Sequence, residues 1–199
     1  MLRAIILSLI AGYADAIGYL DFNAFAGLMT GNTIFLGIEL ATGKFDRAAF
    51  HAFIVLVFLA GVIAARLAVR AGAKIWMVLT GTAILLALCS VANAAWGAIM
   101  LALGMGLQNS AANRFNGVAL NHVFITGNLQ KLGEEFVQWV WPRSGVTSHG
   151  AGIFASVWAA YAGGALLGAL ANTRIPMPLL VPALLLPFVM LGADKRAEV

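Results

Sequence analysis

Residues 27–37 read GLMTGNTIFLG and place the polar triplet Thr-Gly-Asn, at 30–32, inside an otherwise apolar run. The chain repeats this triplet at 126–128, inside VFITGNLQKLG at residues 123–133, which is 96 positions later. In both copies a glycine follows the asparagine five positions on, as Gly37 and Gly133. Because polar groups are costly in apolar surroundings, the matched copies predict a fold organised around the pair.

The composition predicts an all-α integral membrane protein whose main partner is the lipid bilayer. Of its 199 residues, 62% are hydrophobic and only 10% are charged, whereas about a quarter of the residues of a soluble domain are charged. This length allows roughly six spans of about 20 residues each. No stretch remains for a soluble domain, so we expect no enzyme.

The sequence also lacks the motifs of several other functional classes. The net charge of +4 reports topology in a membrane protein, and no basic run is interleaved with aromatic residues, so we expect no nucleic-acid partner. The three histidines and Cys89 show no metal-ligand spacing. With no nucleophile–base pair and no glycine-rich phosphate loop, we predict no catalytic residue, metal or cofactor.

Apolar segments divide the chain into two similar halves. We predict helices at residues 2–20, 27–41, 48–70, 75–91 and 96–112, a sixth starting near 118, and two more at 150–171 and 177–191. The pattern restarts after Asn93. It predicts an internal duplication, with repeats 1–94 and 95–199 forming one membrane domain.

Two arrangements of these segments are open. If all eight cross, the repeats are parallel and the basic residues divide almost evenly between the two sides. If the two T-G-N segments do not cross, the repeats are inverted, and nine of the twelve basic residues share one side: Arg3, Arg66, Arg70, Lys74, Arg114, Lys131, Arg143, Lys195 and Arg196. The positive-inside rule favours six full spans with both termini cytoplasmic. Inverted repeats with short helices are a transporter and channel architecture.

Four motifs carry a resemblance to a known family. They are Gly12 with Asp15, the M-T-G-N at residues 29–32, the L-Q-N-S-A at 107–111, and the T-G-x-L-x-x-L-G at 126–133. Together they resemble the YoaK-like family of bacterial inner-membrane proteins, a domain of unknown function. The resemblance implies several spans and an inner-membrane location, and it implies no substrate.

The T-G-N copies are the core of the candidate substrate site. A helix that begins at T-G-N offers free backbone N–H groups and a positive dipole end, and two such ends meeting near the midplane favour a small polar or anionic solute. The alternative is that these residues only cap helices and pack. The candidate residues are Asp15, Tyr19, Thr30, Gly31, Asn32, Gln108, Asn109, Asn113, Thr126, Gly127 and Asn128.

Asp15 is the only acid inside the first segment. Ionisable residues at membrane depth are expensive and usually functional, so Asp15 is a candidate for proton coupling, with Tyr19 one turn away as a hydrogen-bond partner. Its equivalent in the second half, Asn109, cannot titrate. The alternative is an interfacial aspartate, within two turns of Asp21, that pairs with a neighbour or faces water. We expect Glu39 to be interfacial, and also His51 and His149, for which a proton relay is the other reading.

These patterns favour a secondary transporter of a small polar or anionic solute. A passive channel of the same architecture and a non-transporting membrane scaffold remain open alternatives. A channel would not need Asp15, and a scaffold would tolerate alanine at the T-G-N positions. Small-residue faces are compatible with a homodimer.

Overall fold

The computed structural model describes residues 2–111, 114–115, 118–119, 125–141 and 151–190. Eight helices lie within them: α1 (Leu2–Phe22), α2 (Met29–Ala41), α3 (Phe45–Arg70), α4 (Ile75–Cys89), α5 (Ala94–Ala111), α6 (Ile125–Val140), α7 (Ala151–Asn172) and α8 (Leu180–Met190). Two short strands, β1 (Arg114–Phe115) and β2 (Val118–Ala119), pair antiparallel between α5 and α6.

The helical class and most helix boundaries follow the sequence prediction. One boundary differs, because the sixth helix begins at Ile125 and not near residue 118, where the chain forms β2. The helix therefore starts at the T-G-N triplet itself, as α2 does at Met29.

The described helices range in length from 11 residues in α8 to 26 in α3. Of the described residues, α1, α3 and α7 form helices that are long and apolar enough to cross a membrane. The T-G-N helix α2 has 13 residues, which at 1.5 Å per residue is about 20 Å and falls short of a hydrocarbon core of about 30 Å.

The most extensive helix contacts join one half of the chain to the other, α1 with α7 and α3 with α5. Glycines make both contacts close. A Cβ placed on Gly12 would collide with the backbone oxygen of Tyr161, and one on Gly106 would collide with the backbone oxygen of Phe58. Small residues allow this approach of backbones, which is a common way of packing helices in membranes.

Helices α1 and α5 also contact each other, and they run antiparallel. The amide of Gln108 donates to the backbone oxygen of Leu7 at 3.1 Å, and Gly18 lies against Leu101. The apolar core continues from this contact into α4 and α8. The hydroxyl of Thr82 in α4 donates to the backbone oxygen of Gly104 in α5 at 3.2 Å and links these two helices.

Candidate functional site

Asp15 is buried in the middle of α1, with 2% of its surface exposed. Its Oδ1 accepts hydrogen bonds from the backbone N–H groups of Gly27, at 2.6 Å, and Leu28, at 3.1 Å. Since Leu28 precedes α2 and supplies no side-chain cap of its own, the carboxylate of α1 caps the N-terminus of α2. Asp15 therefore does not face water; it is bonded to neighbouring groups of the protein.

The hydroxyl of Tyr161 in α7 donates to Oδ2 of Asp15 at 2.6 Å. Tyr19, the predicted partner, is 44% exposed. Its ring stacks on Phe25 at 5.3 Å between centroids. The prediction that Tyr19 is the hydrogen-bond partner of Asp15 was wrong. The partner comes from α7, the helix packed against α1, and not from the nearest tyrosine in the sequence. The sequence does contain a signal for Tyr161. It occupies the position that matches Phe58 in the first half, and only Tyr161 carries a hydroxyl.

The two cross-half contacts differ in polarity at equivalent positions. Where α1 meets α7, Asp15 pairs with Tyr161, and where α5 meets α3, the corresponding residues are Asn109 and Phe58. Phenylalanine has no donor for Asn109, and Asn109 Oδ1 is buried without a partner in the described part of the chain. The acid and the tyrosine therefore occur together at one contact, and the amide and the phenylalanine at the other.

In the first T-G-N copy, Asn32 and Gly31 serve the fold. Asn32 is fully buried. Its Oδ1 accepts from the backbone N–H of Phe25 at 2.9 Å, and its amide donates to the backbone oxygen of the same residue at 2.8 Å. A Cβ on Gly31 would lie 2.6 Å from the Phe25 ring. Thr30 is exposed. The side-chain groups of Asn32 are thus already used by the protein.

His51 and Glu39 form a pair that is buried within the protein, and their interfacial placement stays a prediction. His51 Nδ1 lies 2.7 Å from Glu39 Oε2, and His51 Nε2 lies 3.0 Å from the backbone oxygen of Asn23. A backbone oxygen only accepts, so Nε2 donates. Arg47 adds a weak ionic contact to Glu39 at 3.9 Å. His149 lies outside the described residues.

These three groups converge on residues 23–28, which connect α1 to α2. Asp15 holds Gly27 and Leu28, Asn32 holds Phe25, and His51 holds Asn23. Backbone groups buried in an apolar environment require partners. Three different helices therefore supply polar side chains to satisfy one irregular connection.

The L-Q-N-S motif at the end of α5 keeps unused polar atoms. Gln108 is fully buried, and the bond to Leu7 fixes its amide orientation, so that Oε1 is an acceptor with no partner within the described ranges. Gln108 Oε1, Asn109 Oδ1 and Ser110 Oγ are buried without hydrogen-bond partners among the described residues. Such groups are exceptional in native proteins.

The remaining predicted site residues are only partly described. Thr126 is exposed, Asn128 is buried and has a partner, and no described atom lies within 4 Å of a Cβ added to Gly127. Asn113 lies outside the described residues. Helix α2 packs on α3 and α6 on α7, and no extensive α2–α6 interface occurs within the described ranges.

An apolar cavity of about 240 Å³ opens between α1, α7 and α8. Its lining includes Leu9, Leu167 and Val181. The Tyr13 hydroxyl at its edge already donates to the backbone oxygen of Pro178 at 2.9 Å. The described lining of this cavity therefore offers a polar solute no free side-chain donor.

Residues 3–192 match the model of a family described as "Protein of unknown function (DUF1275)". The chain belongs to the DUF1275 family. No curated protein and no solved structure matches it. The expectation of an uncharacterised family is confirmed, and the YoaK-like name stays a prediction. The DUF1275 match covers both T-G-N copies, Asp15 and Tyr161.

Proposed function

We propose that this chain is a multi-pass transporter of the bacterial inner membrane that moves a small polar or anionic solute and couples its movement to protons through Asp15. One observation carries the proposal. A buried carboxylate occupies the contact of α1 with α7, whereas the equivalent contact of α5 with α3 has the neutral Asn109 beside Phe58.

The argument rests on the cost of a buried acid. A carboxyl group at membrane depth is expensive, and such groups are usually retained for function. If Asp15 served only to support the fold, an amide would be the cheaper group, and the other half of the chain already uses one. The matched tyrosine, Tyr161, provides a donor to the carboxylate that Phe58 cannot provide.

The transporter architecture has structural support. The antiparallel contact of α1 with α5 is the relation expected of inverted repeats, because four full crossings per repeat would make these two helices parallel. Helix length does not separate α2, with 13 residues, from α4 and α8, which have 15 and 11 and which six spans require to cross, so the direction of α1 relative to α5 carries this part of the proposal. We therefore propose six full spans, T-G-N helices entering from opposite faces, and cytoplasmic termini. The YoaK-like resemblance agrees with this location.

Protonation of Asp15 gives a physical link between charge and conformation. The carboxylate accepts two backbone N–H groups at the start of α2 and one hydroxyl from α7. A protonated carboxyl accepts less strongly and becomes a donor itself. Uptake of a proton would therefore weaken the hold of α1 on α2 and reorganise the contact with Tyr161.

We place the solute beside the contact of α1 with α5. Gln108 with Leu7 marks one end of this contact, and Leu101 with Gly18 marks the other. In the sequence Asn109 follows Gln108 directly, and Asp15 lies about one helical turn from Gly18. Gln108 Oε1 and Asn109 Oδ1 offer unused acceptors there, as far as the structure describes the chain. Because Asn32 is bound to Phe25, the T-G-N triplets contribute mainly by shaping this region.

The test is solute-dependent proton flux in proteoliposomes. Purified protein is first screened by thermal shift against amino acids, organic acids and polyols. Each stabilising solute is then added outside vesicles that contain a pH-sensitive dye. We expect the wild type to change the internal pH, and Asp15→Asn to lose that change while still binding the solute.

Other outcomes separate the alternatives. If Asp15→Asn transports the solute as fast as wild type, without proton movement in either, the protein is a passive channel. If no solute stabilises or crosses, the scaffold alternative replaces the transporter.

A further inference from the structure

The two T-G-N helices carry different side chains at equivalent positions of their outward-facing surfaces. In α2 this surface carries Ile34 and Ile38, which are 62% and 54% exposed. At the same distances from the triplet, α6 carries Gln130 and Glu134, both exposed. Their side chains are hydrogen bonded, with Gln130 Nε2 donating to Glu134 Oε1 at 2.9 Å.

The comparison is anchored by the buried asparagines. Asn32 is 0% exposed and Asn128 is 2% exposed, so the two helices turn the same residue of the triplet toward the protein. Positions two and six residues later then fall on the same outward arc, one turn apart from each other. The polar pair of α6 is therefore the counterpart of the isoleucine pair of α2.

The adjacent surface of α6 is apolar and exposed. Phe136 is 59% exposed and Val140 58% exposed. On its inner side α6 is held to α7 by the Lys131 ammonium, which lies 5.4 Å from the centroid of the Phe154 ring. Helix α6 thus has one face on the protein and one apolar outer face, and between them an outer arc that is polar at Gln130 and Glu134 and apolar further on, at the exposed Val137 and Trp141.

Isoleucine side chains are stable against lipid, whereas an exposed carboxylate in hydrocarbon is strongly unfavourable. If α2 and α6 enter the membrane to similar depths, Gln130 and Glu134 of α6 are stable only in contact with water, whereas Ile34 and Ile38 of α2 are stable in contact with lipid. The hydrogen bond between Gln130 and Glu134 leaves the second carboxylate oxygen of Glu134 to be solvated.

We infer that α6 forms one wall of a water-filled crevice that opens to one face of the membrane, with Gln130 and Glu134 on its surface. The crevice is the entry route for the solute toward the first turn of α6, where Asn128 is buried, and α2 has no such route. This inference rests on the proposed function, because it takes α2 and α6 as equivalent helices entering from opposite faces.

Labelling of introduced cysteines with a charged, membrane-impermeant maleimide tests the inference. The reaction requires a thiolate, which forms in water and not in hydrocarbon. The buried native Cys89 is first replaced by alanine. Single cysteines are then placed at Gln130, Glu134, Ile34 and Ile38, with Lys44 as the aqueous reference and the exposed Leu56 of α3 as the lipid-facing reference.

We expect Gln130→Cys and Glu134→Cys to react from one side of sealed vesicles only, at least about tenfold faster than Ile34→Cys and Ile38→Cys. The isoleucine variants should react as slowly as Leu56→Cys. If one polar variant fails to fold, the other reads the same surface one turn away.

Two results overturn the inference. Slow labelling at all four positions would mean that lipid, protein or a second copy of the chain covers the polar pair. Fast labelling at all four would mean that α2 is equally wet. Both results are obtained without a transport assay. Labelling can therefore refute the crevice while the flux assay supports proton-coupled transport, and the flux assay can refute transport while labelling supports the crevice.

Discussion

Tyr161 in α7 donates its hydroxyl to Oδ2 of Asp15 in α1 at 2.6 Å, and it thereby joins the first helix of one half to the third helix of the other. Replacing Tyr161 with phenylalanine removes one of three donors to a buried carboxylate. We expect the free energy of unfolding to fall by about 1–3 kcal/mol. Thermal unfolding of the purified protein in detergent measures the change.

A double variant sharpens this prediction. Asp15→Asn with Tyr161→Phe reproduces the Asn109 and Phe58 combination of the other half, so its loss of stability should be smaller than the sum of the single losses. Tyr19→Phe is the control, since the ring of the exposed Tyr19 would keep its stacking, and it should change stability by less than about 0.5 kcal/mol. Additive losses would contradict the proposed equivalence.

Gly12 and Gly106 should tolerate alanine equally badly. At each, the new methyl group would meet a backbone oxygen of the opposing helix, which cannot move without displacing that helix. Overpacking of this kind costs about 1–3 kcal/mol, and a lower unfolding temperature in detergent would report it.

The chain provides its own controls for this pair. A Cβ on Gly37 or Gly133 finds no described atom within 4 Å, so alanine at either position should be neutral or slightly stabilising through helix propensity. Losses at all four glycines would point to a general effect of substitution instead of two close helix contacts.

Asn32→Ala should destabilise the protein more than Thr30→Ala. The first change leaves the backbone N–H and oxygen of Phe25 without the partner seen here, and each buried unsatisfied group costs about 1–3 kcal/mol. Thr30 is exposed. The readout is thermal unfolding without added solute, so equal stability of the two variants would remove the structural role of Asn32.

The Glu39–His51 pair should be sensitive to loss of one partner. His51→Leu leaves a carboxylate that is 8% exposed as a residue with only the distant Arg47 contact. Breaking such a pair costs about 3–5 kcal/mol, whereas an apolar replacement of both partners is often tolerated. Glu39→Leu with His51→Leu should therefore be more stable than His51→Leu alone, as measured by chemical denaturation in detergent.

Cysteine labelling of two exposed positions distinguishes the topologies. Leu2 is the first residue of α1, and Lys44 lies between α2 and α3. Six full spans place Leu2→Cys and Lys44→Cys on opposite sides of the membrane, since α2 returns to the side it came from. Labelling of both from the same side would favour eight crossings.

Sequence patterns predicted the helices well because apolar runs broken by polar turns mark them directly. The T-G-N repeat also located α2 and α6, and the burial of Asn32 and Asn128 agrees with a special role for the triplet. The unusual position of Asp15 was readable from a single rule, the cost of an acid in an apolar helix.

Partners could not be predicted in the same way, because they depend on which helices pack together. The sequence placed Tyr19 near Asp15, but the donor comes from Tyr161, which is 146 positions away. Glu39 and His51 were each expected at an interface, since neither signals in isolation that the other lies 2.7 Å away. The direction of α1 relative to α5 likewise required the three-dimensional contact.

The exchange of helices between the two halves has a consequence for synthesis. Helix α3 finds its partner as soon as α5 is made, whereas α1 must wait until α7 emerges about 150 residues after it, which takes on the order of ten seconds or more at ribosomal speed. During that interval the face around Gly12 has no helix against it, and Asp15 lacks the hydroxyl of Tyr161. The first helix made thus waits for its most extensive contact until much of the second half has been synthesised, and α4 waits in the same way for α8.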